Sequence, residues 1–157
     1  MSDREVLHRH PFHPALVHFP IACWVLSHPA DLAALTDIGF HVFELDWWAV
    51  SSLLVWIGVI TAIPAMAVGV YDFIQLPDED GLMQSSYRHI SFVGTAWMVY
   101  LASGYIRMGD NLALAPAGVG PALVSGFGLI CLCIGGWYGG KLVYKYHLGT
   151  SVARRRR

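Results

Sequence analysis

The run Trp47–Tyr71, WWAVSSLLVWIGVITAIPAMAVGVY, contains no Asp, Glu, Lys or Arg. Spanning the hydrocarbon core of a bilayer takes about 20 apolar residues, and this run exceeds that length. It also lacks the polar stripe that a surface helix of a soluble protein shows. Working outward, three similar segments appear. One runs from Pro14 into the thirties with Asp31 as its only acid, one covers Ile90–Ile106 between Arg88 and Arg107, and one covers Leu112–Gly140 with a lead-in ending at Pro121. The expected fold is therefore all-α: an integral membrane four-helix bundle with helices at about 14–35, 47–71, 89–107 and 121–146. It forms a single transmembrane domain over residues 1–157, with a short polar N-terminus and a basic C-terminal tail.

Composition agrees, since 55% of the 157 residues are hydrophobic and 13% charged, whereas soluble domains carry about a quarter charged residues. The polar opening MSDREVLHRHPF is followed by an apolar stretch with no small-residue cleavage site, so that stretch reads as a retained helix. Lys and Arg in short loops set orientation. With both termini inside, Arg4, Arg9, Arg88, Lys141, Lys145 and Arg154 to Arg157 lie on the cytoplasmic side, and Arg107 alone lies outside. The expected location is the bacterial inner membrane, multi-pass, N-in and C-in. Trp47 and Trp48 suit an outer aromatic belt, and Tyr71, Tyr87, Tyr138, Tyr144 and Tyr146 an inner one.

Cys23, Cys131 and Cys133 all lie in apolar stretches and read as packing residues. Gly135, Gly136, Gly139 and Gly140 give overlapping small-xxx-small pairs that let a neighbouring helix approach. Pro20 and Pro64 fall inside helices, where kinks are expected. The segment Asp72–Tyr87, with the acidic Asp78 to Asp80, reads as the longest inner loop. No internal repeat is evident. The arginine tail suits anionic headgroups, and the remaining inner surface is too weakly basic for nucleic acid.

Ionisable side chains at membrane depth are costly and point to function. His13, His18, Asp72, His89, Lys141 and His147 all fall near the inner ends of helices. Imidazoles from two facing helices are the usual axial ligands of a low-spin b-type haem. His18 and His89 are the expected pair, with Arg88 or Lys141 near the propionates and His13 and Asp72 handling protons or supporting the ligands. His13 and His18 lie five positions apart and cannot both face one centre unless His13 is off the helix. A transition metal ion on His18, His89 and His13 is the alternative cofactor. In the outer half, His28 and Asp31 share a face and could hydrogen-bond each other. No outer histidine on the last two helices completes a second haem, unless His41 folds in.

The stretch HPALVHFPIA, His13 to Ala22, resembles the opening of a bacterial family of small predicted membrane proteins classed as a domain of unknown function. The resemblance continues through Gly69 and Asp72, the pair Arg88 and His89, the run Gly139 to Tyr144, and Gly149 to Val152. It covers Pro11 to Val152 and implies four membrane helices without implying a reaction. Members of the family occur joined to cytochrome-like or Rieske-type domains, which by association favours electron transfer.

The functional expectation is a membrane electron-transfer subunit holding haem b and exchanging electrons with quinone or a partner redox protein. A non-catalytic accessory subunit of a larger membrane complex is the rival from another class. A metal or proton transport element ranks third, because polar groups on one side give no path across the bilayer. No nucleophile–base pair or metalloprotease motif supports a hydrolase.

Overall fold

Asp46 is the hinge on which the second helix starts: its carboxylate accepts from the backbone N–H groups of Trp48 and Ala49, each at 3.0 Å. Such a cap satisfies donors that the first helical turn leaves unpaired. The computed structural model describes residues 12–36, 46–109 and 113–148. It contains α1 (Phe12–Leu35), α2 (Trp47–Phe73), α3 (Asp80–Ile106) and α4 (Val119–Tyr144). The predicted four-helix, all-α fold is what forms. Helix α1 packs chiefly on α2 and α3 chiefly on α4, and the two hairpins meet along narrower α2/α3 and α1/α4 seams.

Two boundaries differ from the sequence reading in ways that move the site. Helix α1 already includes His13, so this residue is helical rather than in the preceding segment. Helix α3 begins at Asp80, well before the predicted start at residue 89. Most of the segment read as a long loop is therefore helix. The acid in its first turn suits the positive end of the helix dipole, and Leu82, Ser85 and Ser86 give it a buried face. Charge content concealed this extra helix from a reading built on uncharged runs.

Helices α2 and α4 are long and apolar enough to cross a membrane. Helices α1 and α3 carry more of the polar residues that face the bundle interior, including His13, Asp31, His89 and Ser103. Phe19, Leu26, Leu53, Ile60, Leu123, Ile130 and Trp137 stand exposed on the outer surface. A soluble monomer rarely shows so much contiguous apolar surface. The core is Trp24, Val55, Val59, Ala62, Ala96, Tyr100, Cys131 and Leu132. Cys131 is buried and Cys133 exposed, as expected for positions two apart on a helix.

The structure contains an internal repeat that the sequence does not announce. Each key residue of α3 follows its counterpart in α1 by 76 positions, the separation of the Asp31–Arg107 contact. On this spacing His13 matches His89, Trp24 matches Tyr100 and Ser27 matches Ser103. A second constant spacing relates Gly58, Ala65 and Gly69 of α2 to Gly128, Gly135 and Gly139 of α4. The contacts obey the same correspondence. Gly58 lies against Trp24 as Gly128 lies against Tyr100, and Gly69 lies against His13 as Gly139 lies against His89. The two hairpins are thus parallel repeats about an axis running along the bundle, an arrangement also used by transporters.

Candidate functional site

Three pairs of counterpart residues meet across that axis. At the end where α1 and α3 begin, the rings of His13 and His89 lie with centres 6.4 Å apart and planes at 88°. In the middle, Trp24 and Tyr100 stack. At the far end, Asp31 and Arg107 form an ion pair. The His pair and the ion pair stand eighteen helical positions apart, or about 27 Å at 1.5 Å per residue, close to the roughly 30 Å of a hydrocarbon core.

The His pair is built identically from both hairpins. His13 Nδ1 is 2.8 Å from the carbonyl oxygen of Ala65, and His89 Nδ1 is 2.9 Å from that of Gly135. A carbonyl can only accept, so each Nδ1 donates, and in the neutral ring Nε2 is the nitrogen with the lone pair. Glycine makes room beside both rings: a Cβ at Gly69 would meet His13 Cε1 at 2.7 Å, and one at Gly139 would meet His89 Cε1 at 3.0 Å. Around this end, Arg88 Nη1 donates to the Tyr138 hydroxyl at 3.3 Å. Lys141 Nζ lies 4.9 Å from the centre of the same ring.

The sequence-derived candidates divide accordingly. His13 and His89 come together, whereas His18 is exposed on the outer surface of α1. The expected His18–His89 pairing is therefore not the one that forms. Two histidines five positions apart cannot share a face, and helix rotation gives the inward place to His13. Asp72 is exposed at the end of α2, Arg88 is exposed, and Lys141 is half-buried against aromatic rings. His147 sits beyond α4 with φ 57°. His8, His10, His41 and the arginine tail lie outside the described residues.

The far end overturns three expectations, for Arg107, Trp48 and His28. Arg107 is not a loop cation. Its guanidinium is fully buried and uses all five donors. Nη1 and Nη2 donate to the two oxygens of Asp31 at 2.7 Å each, and Nη1 also to Ser51, Nη2 to Ser125 and Nε to Ser103. Every helix contributes to this knot. The Trp48 ring lies 4.4 Å from the guanidinium carbon, and its Nε1 donates to Ala115 O at 2.9 Å. Trp48 is thus a buried cover for the arginine rather than a belt residue. His28 does not pair with Asp31; its Nδ1 is 3.3 Å from Ser27 Oγ and its Nε2 is 3.5 Å from the Tyr100 hydroxyl. One signal for the knot is present in the sequence: Asp31 and Arg107 are opposite charges at the same ends of two otherwise apolar segments.

This far-end knot is saturated, because the arginine has no donor left. The His end is the reverse, holding two oriented imidazoles whose Nε2 atoms carry lone pairs. An imidazole held in this way has the form that a metal-ligating histidine takes, with a backbone carbonyl as the partner of its other ring nitrogen.

No curated protein and no solved structure matches this chain. One family model does match, described as "Predicted membrane protein (DUF2231)" and spanning residues 9–152. With nearly all of its length matched, the chain belongs to that family of predicted membrane proteins.

Proposed function

We propose that the chain is a multi-pass electron-transfer subunit of the bacterial inner membrane that holds a b-type haem between His13 and His89. The observation that carries this reading is the geometry of the two rings. A ligating nitrogen lies about 2 Å from its metal and roughly 1.1 Å from its own ring centre. Two rings on opposite sides of one ion thus keep their centres about 6 Å apart, against the 6.4 Å here. A tetrapyrrole supplies four of six donors, so two protein imidazoles suffice. A bare ion asks for a larger protein set, and among the described residues no group of three or more His, Cys, Asp or Glu is placed to hold one.

When bound, the haem supplies one-electron redox chemistry. The protein's part is to orient the imidazoles through Ala65 O and Gly135 O, keep side chains away at Gly69 and Gly139, and offer Arg88, Lys141 and Tyr138 to carboxylates at the rim. Lys and Arg distribution puts this end on the cytoplasmic side, where a quinone or a redox protein exchanges the electron. The test is the reduced-minus-oxidised visible spectrum of the purified protein. Low-spin haem bands that vanish in His13→Ala and in His89→Ala support the reading. A preparation that stays free of iron after expression with haem supply ends it.

An accessory role in a larger membrane complex has one observation of its own. Small residues Ser91, Gly94 and Ala102 open an apolar groove between α3 and α4, beside Phe127. Stable co-purification with a larger assembly, without any chromophore in this chain, favours that reading instead.

A further inference from the structure

The internal repeat shows which positions should be alike, and so also where the two halves part. On the α2/α3 seam, Trp56 covers Gly104: a Cβ there would come 3.1 Å from the indole. A second indole, Trp97, packs against the core and donates from Nε1 to Val59 O at 3.0 Å. The repeat carries these residues onto the α1/α4 seam, where the counterpart of Trp56 is Gly126 and that of Trp97 is Ile21. The counterpart of Gly104 is His28. Nothing among the described residues comes within 4 Å of a Cβ built on Gly126. Ile21 stands 39% exposed, and α1 and α4 touch less than α2 and α3 do. One seam is thus filled by two indoles, while the matching positions of its counterpart carry no indole, leave open space at Gly126 and include the half-buried imidazole of His28.

The hydrogen bonds fix the state of that imidazole. Ser27 Oγ donates to Trp24 O at 2.7 Å, which commits its only proton. Toward His28 it can therefore only accept, so Nδ1 of His28 carries the proton and Nε2 presents a lone pair. The Tyr100 hydroxyl reaches that nitrogen at only 3.5 Å, long for such a bond. A closer donor would be favoured.

From these observations we infer that the α1/α4 seam is a binding notch for the ring of a lipid-soluble hydroquinone, whose hydroxyl donates to His28 Nε2. The indole of Trp56 on the matching seam shows that a flat ring of this size suits the position. Hydroxyl-bearing rings reach such a seam from within the bilayer, and the notch opens between helices rather than toward the saturated Arg107 knot. The site makes no use of His13 or His89, so it stands whether or not a haem binds there.

The experiment uses the full chain in lipid nanodiscs under argon, with decylubiquinol as the probe. Quinol retained by protein-bearing discs is compared with that in empty discs. The wild type should retain a saturable excess. Gly126→Trp, which refills the opening as Trp56 does on the other seam, should lower that excess at least ten-fold. His28→Leu should weaken binding by about five-fold, the value of one ordinary hydrogen bond. Decylubiquinone, which has no hydroxyl to donate, should bind more weakly than the quinol. Circular dichroism and the melting profile of each variant report folding. Absence of saturable excess in the wild type overturns the notch. So does retention unchanged in folded Gly126→Trp, or loss of retention in His13→Ala with Gly126→Trp unaffected. The haem spectrum is read separately, so failure of either site leaves the other tested.

Discussion

Trp24 of α1 and Tyr100 of α3 stack with ring centres 4.5 Å apart and planes within 1° of parallel, at equivalent positions of the two hairpins. Both are buried, and each lies against a glycine of the helix beside it: Gly58 under Trp24, Gly128 under Tyr100. Offset stacking of this kind adds about 0.5–1.5 kcal/mol beyond area burial. The stack joins the hairpins at the middle of the bundle.

Gly128→Val should separate those rings. A Cβ at Gly128 would sit 3.0 Å from the Tyr100 ring and 3.3 Å from Val99, and overpacking a core typically costs about 1–3 kcal/mol. A lower melting temperature in detergent is expected. Gly126→Val, on the same helix but facing open space, serves as the control and should change it little.

The Asp31–Arg107 pair should behave as a buried charge pair. Removing one partner leaves the other charge buried with only serine hydroxyls to meet it, a loss of about 3–5 kcal/mol. Asp31→Ala and Arg107→Ala should each fall well below the wild type in thermal stability. The double exchange Asp31→Arg with Arg107→Asp should recover part of that loss, because the two positions are counterparts across the axis. Recovery will be incomplete, since Ser51 stands on one side where Pro121 stands on the other. An exchange no better than the single variants would count against the repeat.

Gly69→Ala and Gly139→Ala should act on His13 and His89 without touching their nitrogens. Each added methyl falls within about 3 Å of an imidazole, forcing the ring to tilt away from its carbonyl. In haem-loaded protein the low-spin bands should weaken or shift, with the fold retained by circular dichroism. His18→Ala, altering a side chain on the outer surface, should leave the spectrum as in the wild type.

Trp48→Phe should separate two roles of one residue. Phenylalanine keeps a ring near the Arg107 guanidinium but loses the 2.9 Å donation to Ala115 O. The loss of one half-buried hydrogen bond costs about 0.5–1.5 kcal/mol, so a small drop in melting temperature is expected. Trp48→Ala should fall further, because the cation–π contact goes as well.

Much was legible from sequence, and for definable reasons. Long uncharged runs determine that Trp47–Phe73 and Val119–Tyr144 are long apolar helices, because a helix satisfies all its backbone polar groups within one segment. The same reading gives all four helices and gathers His13, His18, Asp72, Arg88, His89, Lys141 and His147 toward one end. Composition and spacing cannot give helix rotation. Which of His13 and His18 faces inward depends on how α1 rolls against α2, and that is settled by the close approach of His13 to Gly69. Arg107 reads as a loop residue because three of its four hydrogen-bond partners, Asp31, Ser51 and Ser125, come from helices other than the one it ends. The repeat is hidden for a related reason. Packing keeps size and position at the axis while residue identity drifts from Trp24 to Tyr100 and from Asp31 to Arg107. Sequence alone therefore determined the helices and the end at which the histidines collect; tertiary structure decided which side chains meet, because that choice rests on contacts between segments the chain brings together only on folding.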